Sequence, residues 1–205
     1  MERVVIFVDG SNLYNSLKKN FGKVQIDFRV LAEKLTNPTR KLVRLYYYNA
    51  PRDKSEGDTK YKAQQRFLEK LRRTDYVEVK LGRLESRPID LSFLSDADRK
   101  KYSKMAPKKC WVEKGVDVSL AVDMLTMAIR GTYDTAIIVS NDGDFASAIM
   151  AVKDLGKHVE VGHIDGSSAY HLLTVADKEI CIDKDLLKDC WLDIPKPKVA
   201  ASHKP

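Results

Sequence analysis

Acidic side chains stand in this sequence where apolar runs stop. The run at residues 137–139 ends in Ser140-Asn141-Asp142-Gly143-Asp144, and the apolar pattern then resumes at once. The opening run at residues 4–8 stops the same way, in Asp9-Gly10-Ser11-Asn12. A third stretch sets Asp117 and Asp123 among Val116, Val118, Leu120, Ala121, Val122, Met124 and Leu125, where an ionised carboxylate needs a compensating partner. Carboxylates gathered together repel unless protons or cations intervene. An all-oxygen donor set suits Mg²⁺ or Mn²⁺ rather than zinc, and neither cysteine nor histidine accompanies these aspartates.

Each acid also has a plain structural use. Asp9-Gly10 reads equally as a turn, with Ser11 or Asn12 capping the next helix. Ser140, Asn141 and Asp142 are all good N-caps, and Asp144 favours a helix N-terminus through the dipole. One cap needs only one of them, so the surplus of polar groups favours a site. Asp117 and Asp123, six residues apart, project roughly 120° from one another on a helix, too far apart to share one ligand. Asp117, at the helix start, is the better placed for a sheet edge. Asp123 is left between that site and a bond to a neighbouring loop.

The elements that must position these residues alternate between short β-rich runs and helical patterns, the signature of βαβ units and a mainly parallel sheet. Strands are expected at 3–8, 42–48, 77–82, 135–140 and 158–162, and helices at 27–35, 59–73, 116–129 and 145–155. In open parallel sheets ligands gather beyond the carboxyl ends of the strands. Asp9 follows the first strand, and Asp142 and Asp144 follow the fourth. They share one edge if those strands run parallel, and approach one another if the strands are neighbours. Residues 86–109 are too long for an ordinary connection and read as a basic insertion loop. Residues 194–205 are proline-spaced, lack a core pattern and read as a disordered tail.

The chain has 205 residues, enough for one α/β domain, expected over 1–193. Its 43% hydrophobic and 32% charged residues describe a soluble globular protein. The three cysteines make no metal-ligand spacing and fit a reducing compartment. The first apolar run is too short for a signal peptide or a membrane span, so a cytoplasmic location without membrane contact is expected. A homodimer is left open. The formal charge of +7 permits a nucleic-acid partner. It is concentrated: residues 40–87 hold 14 Lys and Arg against 7 Asp and Glu, and residues 99–114 hold 7 against 1. Lys60, Lys62, Arg66, Lys70 and Arg73 are the candidate phosphate contacts. Tyr46, Tyr47, Tyr48, Tyr61 and Tyr102 lie among the charges as candidates for stacking on bases. Lys and Arg runs also serve as solvated helix faces, and at least one of the strand tyrosines belongs in the core.

"FVDGSNLY", "KGVDVSLAVDM" and "VSNDGDF", in this order and spacing, resemble the NYN domain, particularly its LabA-like branch, within the PIN-like nuclease superfamily. "YYYNAP", "KYKAQQRFLEKL" and "VKLGRLE" extend the resemblance to residues 1–175. The resemblance implies a Rossmann-like three-layer α/β/α sandwich with an acidic pocket for Mg²⁺ or Mn²⁺, and hydrolysis of RNA. By position it makes Asp9, Asp117, Asp142 and Asp144 the acidic residues, with Asn12 as polar companion and Asp123 in a less defined role.

The expected function is therefore a metal-dependent ribonuclease. Asp9, Asp142 and Asp144 would act as metal ligands, and Asp117 as a ligand or as the group orienting water. Asn12, Ser140 and Asn141 would position phosphate or water. The alternative is an RNA-binding regulatory module that keeps the fold without turnover. A metal-dependent phosphatase of the haloacid-dehalogenase type needs a second acid two residues after the first, and Ser11 occupies that position. The four histidines, His158, His163, His171 and His203, are scattered and are expected to be ordinary strand or surface residues.

Overall fold

The computed structural model describes residues 1–88, 95, 98–100 and 109–192. Six strands form one parallel sheet: β1 (Arg3–Asp9), β2 (Lys41–Asn49), β3 (Val77–Leu81), β6 (Thr135–Val139), β7 (His158–Ile164) and β8 (Lys178–Ile182). Their order across the sheet is β3-β2-β1-β6-β7-β8. Leaving β1, the chain winds outward through β2 and β3, then returns to β6 on the other side of β1. That reversal makes the gap between the carboxyl ends of β1 and β6 the topological switch point, where such sheets bind ligands.

Helices cover both faces. Along β1, Val4, Ile6 and Val8 face one way, where they meet Leu13 and Leu17 of α1 (Gly10–Phe21), Leu31 and Leu35 of α2 (Phe28–Thr36), and Leu68 and Leu71 of α3 (Asp58–Arg72). Leu187 of the short α7 (Lys184–Leu187) joins them. Val5 and Phe7 face the opposite way, against Leu120 and Met124 of α4 (Val116–Ile129), Ile149 and Val152 of α5 (Ala146–Asp154) and Leu172 of α6 (Tyr170–Leu173). Strands buried on both faces must be apolar throughout, which is why "VVIFV" and "AIIV" show no alternation. The expected three-layer α/β/α sandwich is the observed fold.

The five expected strands and four expected helices are present, with ends moved by a few residues. Two features of the sheets went unread. Strand β8, with the charged pair Lys178-Glu179 at its start, lies at the sheet edge. Residues 83–88 and 109–114 form an antiparallel arm, β4 (Arg83–Pro88) with β5 (Lys109–Lys114), so both flanks of the long insertion are paired. Between them only Ser95 and residues 98–100 are described, and the disordered tail expected at 194–205 lies outside the described residues. Among the described residues no helix is long and apolar enough to cross a membrane.

Candidate active site

Asp9 is the last residue of β1 and is only 5% exposed. Strand alternation assigns it to the face of Val5 and Phe7, the side that α4 covers. It also caps α1: Oδ1 accepts the Asn12 backbone N–H at 3.0 Å. Neither Ser11 nor Asn12 is the cap, contrary to the sequence reading of this turn. Gly10 is required beside it by close approach, since a Cβ there would stand 2.3 Å from Tyr47 Cζ and 2.7 Å from the Tyr48 carbonyl oxygen.

The register Val8↔Val139 carries Asp9 beside Ser140. Ser140 Oγ donates to Asp9 Oδ2 at 3.1 Å and accepts the Asp142 N–H at 3.1 Å. Its hydroxyl proton is thereby committed to the aspartate. Asp142 caps the short 3₁₀ turn Gly143–Phe145, its Oδ1 accepting the Asp144 N–H at 3.1 Å. Asn12 Oδ1 accepts the Asn141 N–H at 3.2 Å, and Asn141 Nδ2 donates to Ser16 Oγ at 3.0 Å. Asn12 Nδ2 donates no hydrogen bond among the described residues. The loops after β1 and β6 are thus laced together by the polar residues that the sequence pattern singled out. Gly143 does not have a positive φ; its constraint is His171 of α6, whose Cβ would lie 3.2 Å from an added methyl group.

Asp117 lies in the first turn of α4, angularly in line with Leu120 and Met124 but exposed at the helix start next to buried Val116, and its charge is felt at Asp9. The electrostatics join the four acids. Burial pushes the Asp9 carboxyl up to about 6, against the hydrogen bonds from Asn12 and Ser140, and the charges of Asp117 and Asp142 raise it further. Asp117 is raised by partial burial and then by Asp142 and Asp144. The carboxylates therefore sense one another. As the side chains stand, no group of three or more His, Cys, Asp or Glu among the described residues is gathered closely enough to hold a metal ion.

The structure places Asp123 elsewhere. It accepts the Tyr48 hydroxyl at 2.8 Å and lies 3.8 Å from Lys80 Nζ, on the flank of α4 toward β2 and β3. The five cations of α3 do not form one patch. Lys60 and Lys62 lie in its first turns, on the carboxyl side of the sheet. Lys70 and Arg73 lie at its far end, about 15 and 20 Å from Lys60 at 1.5 Å per residue. Lys62 pairs with Asp58, Arg73 pairs with Glu69, and Arg66, Lys70 and Arg73 share one shallow depression. Of the tyrosines, Tyr47 and Tyr48 are buried and cannot stack on a base. Tyr46 stacks on Phe7, and Tyr102 lies outside the described residues.

The arm adds residues that no sequence pattern marked. Ser11 Oγ lies 3.2 Å from Asn49 Oδ1 and 3.1 Å from Glu113 Oε2, its single proton serving either acceptor. Glu113 thus joins the acidic edge from β5. Trp111, two residues earlier, donates its indole N–H to Ser55 Oγ at 2.8 Å. Nothing local in the sequence pairs these strands across a gap of twenty residues.

A doubly wound α/β/α sheet with carboxylates beyond the ends of β1 and β6 defines a Rossmann-like protein. The NYN domain profile matches residues 3–183, and the chain belongs to the NYN domain family, which is grouped with the PIN-like nucleases. It is 26% identical over 178 residues to the low amplitude and bright protein LabA of Synechococcus elongatus, covering 87% of this chain and 82% of that protein. A crystal structure of a protein of unknown function from Vibrio parahaemolyticus has the same fold. It aligns with a TM-score of 0.61 at 23% identity, over 90% of this chain and 94% of that one.

Proposed function

We propose that the protein is a divalent-metal-dependent nuclease that hydrolyses RNA phosphodiesters at the switch point between β1 and β6. The observation that carries this reading is Asp9: a carboxylate 5% exposed at the switch point, raised to about 6 by burial first and then by the neighbouring charges of Asp117 and Asp142. A buried carboxylate near other acids carries a cost when ionised, and a divalent cation would relieve it. The donor set fits the group, because Mg²⁺ takes oxygen ligands and is usually held by one or two carboxylates with waters and phosphate oxygens completing its shell. Asp9, Asp142 and Asp144 are the proposed ligands.

A bound Mg²⁺ or Mn²⁺ supplies a lowered water pKa and neutralisation of phosphate charge. The chain's own residues do the remainder. Ser140 holds Asp9 Oδ2 and orders the Asp142 backbone, so it acts as a positioning residue rather than a phosphate ligand. Asp117, whose charge is coupled to the same acids, would orient the attacking water and accept its proton. Asn12 Nδ2 is the donor left to meet a phosphate oxygen, while Asn141 fixes Asn12 through its own N–H.

The test incubates labelled single-stranded RNA with the protein and Mg²⁺ or Mn²⁺, with and without EDTA, beside Asp142→Asn and Asp117→Asn. Metal-dependent product, lost in EDTA and in both variants, is the expected result. Cleavage that persists in EDTA sinks the assignment. A second reading, an RNA-binding module without turnover, is favoured by the carboxylates standing too far apart for a three-ligand site. RNA binding and metal binding without product would establish it instead.

A further inference from the structure

The exposed ring of Trp111 has no place in the chemistry described so far. It is 36% exposed on β5, on the arm that closes over the carboxyl edge of the sheet. Alternate residues of a strand point the same way, so Trp111 shares a face of the arm with Glu113, whose carboxylate reaches Ser11 next to Asp9. They are two residues apart along the strand, which sets Trp111 about 7 Å farther along the arm from the acidic edge. That is close to one nucleotide step along an extended strand.

The ring is held and not merely exposed. Its N–H is satisfied by Ser55 Oγ of the 3₁₀ turn Lys54–Glu56, which fixes the indole between the arm and the loop that follows β2. The neighbouring residue of that turn, Lys54, lies 5.5 Å from the centre of the Tyr61 ring in the first turn of α3. Two aromatic rings and a cation therefore meet around one turn at the same sheet edge, and Lys60 and Lys62 follow in α3. Aromatic rings interleaved with positive charge beside a phosphate-directed site form a binding surface for unpaired nucleotides. The bases of a duplex are stacked on each other and offer no face to such a ring.

We propose, on the footing of the RNA reading, that Trp111 is the stacking platform for an unpaired base one step from the scissile phosphate, so that the arm selects single-stranded over duplex substrate. The rival is a latch, in which Trp111 only ties the arm to the Lys54–Glu56 turn. The two differ in what the substitutions remove. Ser55→Ala and Trp111→Phe both break the latch bond but keep an aromatic ring, whereas Trp111→Leu removes the ring.

Trp191, the other tryptophan, packs beside Phe21 at the α1 side of the molecule. A Trp191→Phe background therefore leaves Trp111 as the single indole reporter. Its fluorescence is titrated in EDTA with a twelve-nucleotide oligouridylate and with an RNA duplex of equal length, while cleavage is silent. Quenching by the single strand is expected. Trp111→Leu should weaken single-strand affinity, followed by anisotropy, roughly five- to 150-fold, and leave duplex affinity within about twofold. Trp111→Phe and Ser55→Ala should stay within a few-fold of the parent. Equal losses in all three variants would establish the latch and overturn the platform. RNA binding without quenching, unaltered in Trp111→Leu, would also overturn it while leaving the nuclease reading intact. Absence of RNA binding in the parent would remove both.

Discussion

Asp9 combines three duties in one side chain: it ends a strand, caps a helix and stands in a repulsive group. Its sign with pH follows from the raised carboxyl. Protonated Asp9 stabilises the folded chain fully below the unfolded value near 3.8, and that contribution is lost as pH rises through about 6. Metal-free protein at pH 7 therefore carries an ionised, disfavoured Asp9, at a cost on the order of 3 kcal/mol. Asp9→Asn should leave thermal stability unchanged below pH 4 and raise it by several degrees at pH 7, and it should abolish any stabilisation by Mn²⁺. Differential scanning calorimetry from pH 3.5 to 8, with and without metal, reads all of this; an Asp9→Asn protein less stable than the parent at pH 7 would refute the charge conflict.

At the scale of elements, α4 divides its two aspartates between two tasks. Asp117 stands exposed at the helix start and is coupled to the charges of Asp142 and Asp144. Asp123 sits on the flank and accepts the Tyr48 hydroxyl inside the helix–sheet contact. Asp123→Asn should keep metal affinity within about threefold by calorimetric titration. Tyr48→Phe should cost about 1–3 kcal/mol in urea denaturation, by leaving the carboxylate without its donor. A loss of metal affinity in Asp123→Asn equal to that in Asp142→Asn would return Asp123 to the site. The 120° separation was readable from the sequence alone, but which of the two directions met the site depended on the side from which α4 docks.

At the scale of the whole molecule, α3 carries its charge from the sheet's carboxyl edge to the opposite edge. Only the first part of that helix lies on the site's side. Lys60→Glu with Lys62→Glu should weaken RNA binding and flatten its salt dependence by roughly 1–2 charges' worth of slope. Lys70→Glu with Arg73→Glu, about 15–20 Å farther along, should change affinity by less than twofold. Anisotropy titrations between 50 and 300 mM salt separate these outcomes, and equal losses from both pairs would mean that the strand runs along the full helix.

The sequence by itself determined the mainly parallel α/β class, the ends of the main elements to within a few residues, and the polar clusters where β1 and β6 end. Each of these depends on local signals: unbroken apolar runs for doubly buried strands, 3.6-residue spacing for helices, and polar residues where a strand gives way to a turn. The tertiary structure decided what depends on neighbours distant in the chain. It set β1 against β6 so that Ser140 binds Asp9, across 131 residues. It also turned Asp123 toward Tyr48 and brought Glu113 and Trp111 over the edge by pairing β4 with β5. Those contacts arise from strand order and helix docking, which bury apolar area in the most favourable arrangement of the whole chain. No window of a few residues carries that information.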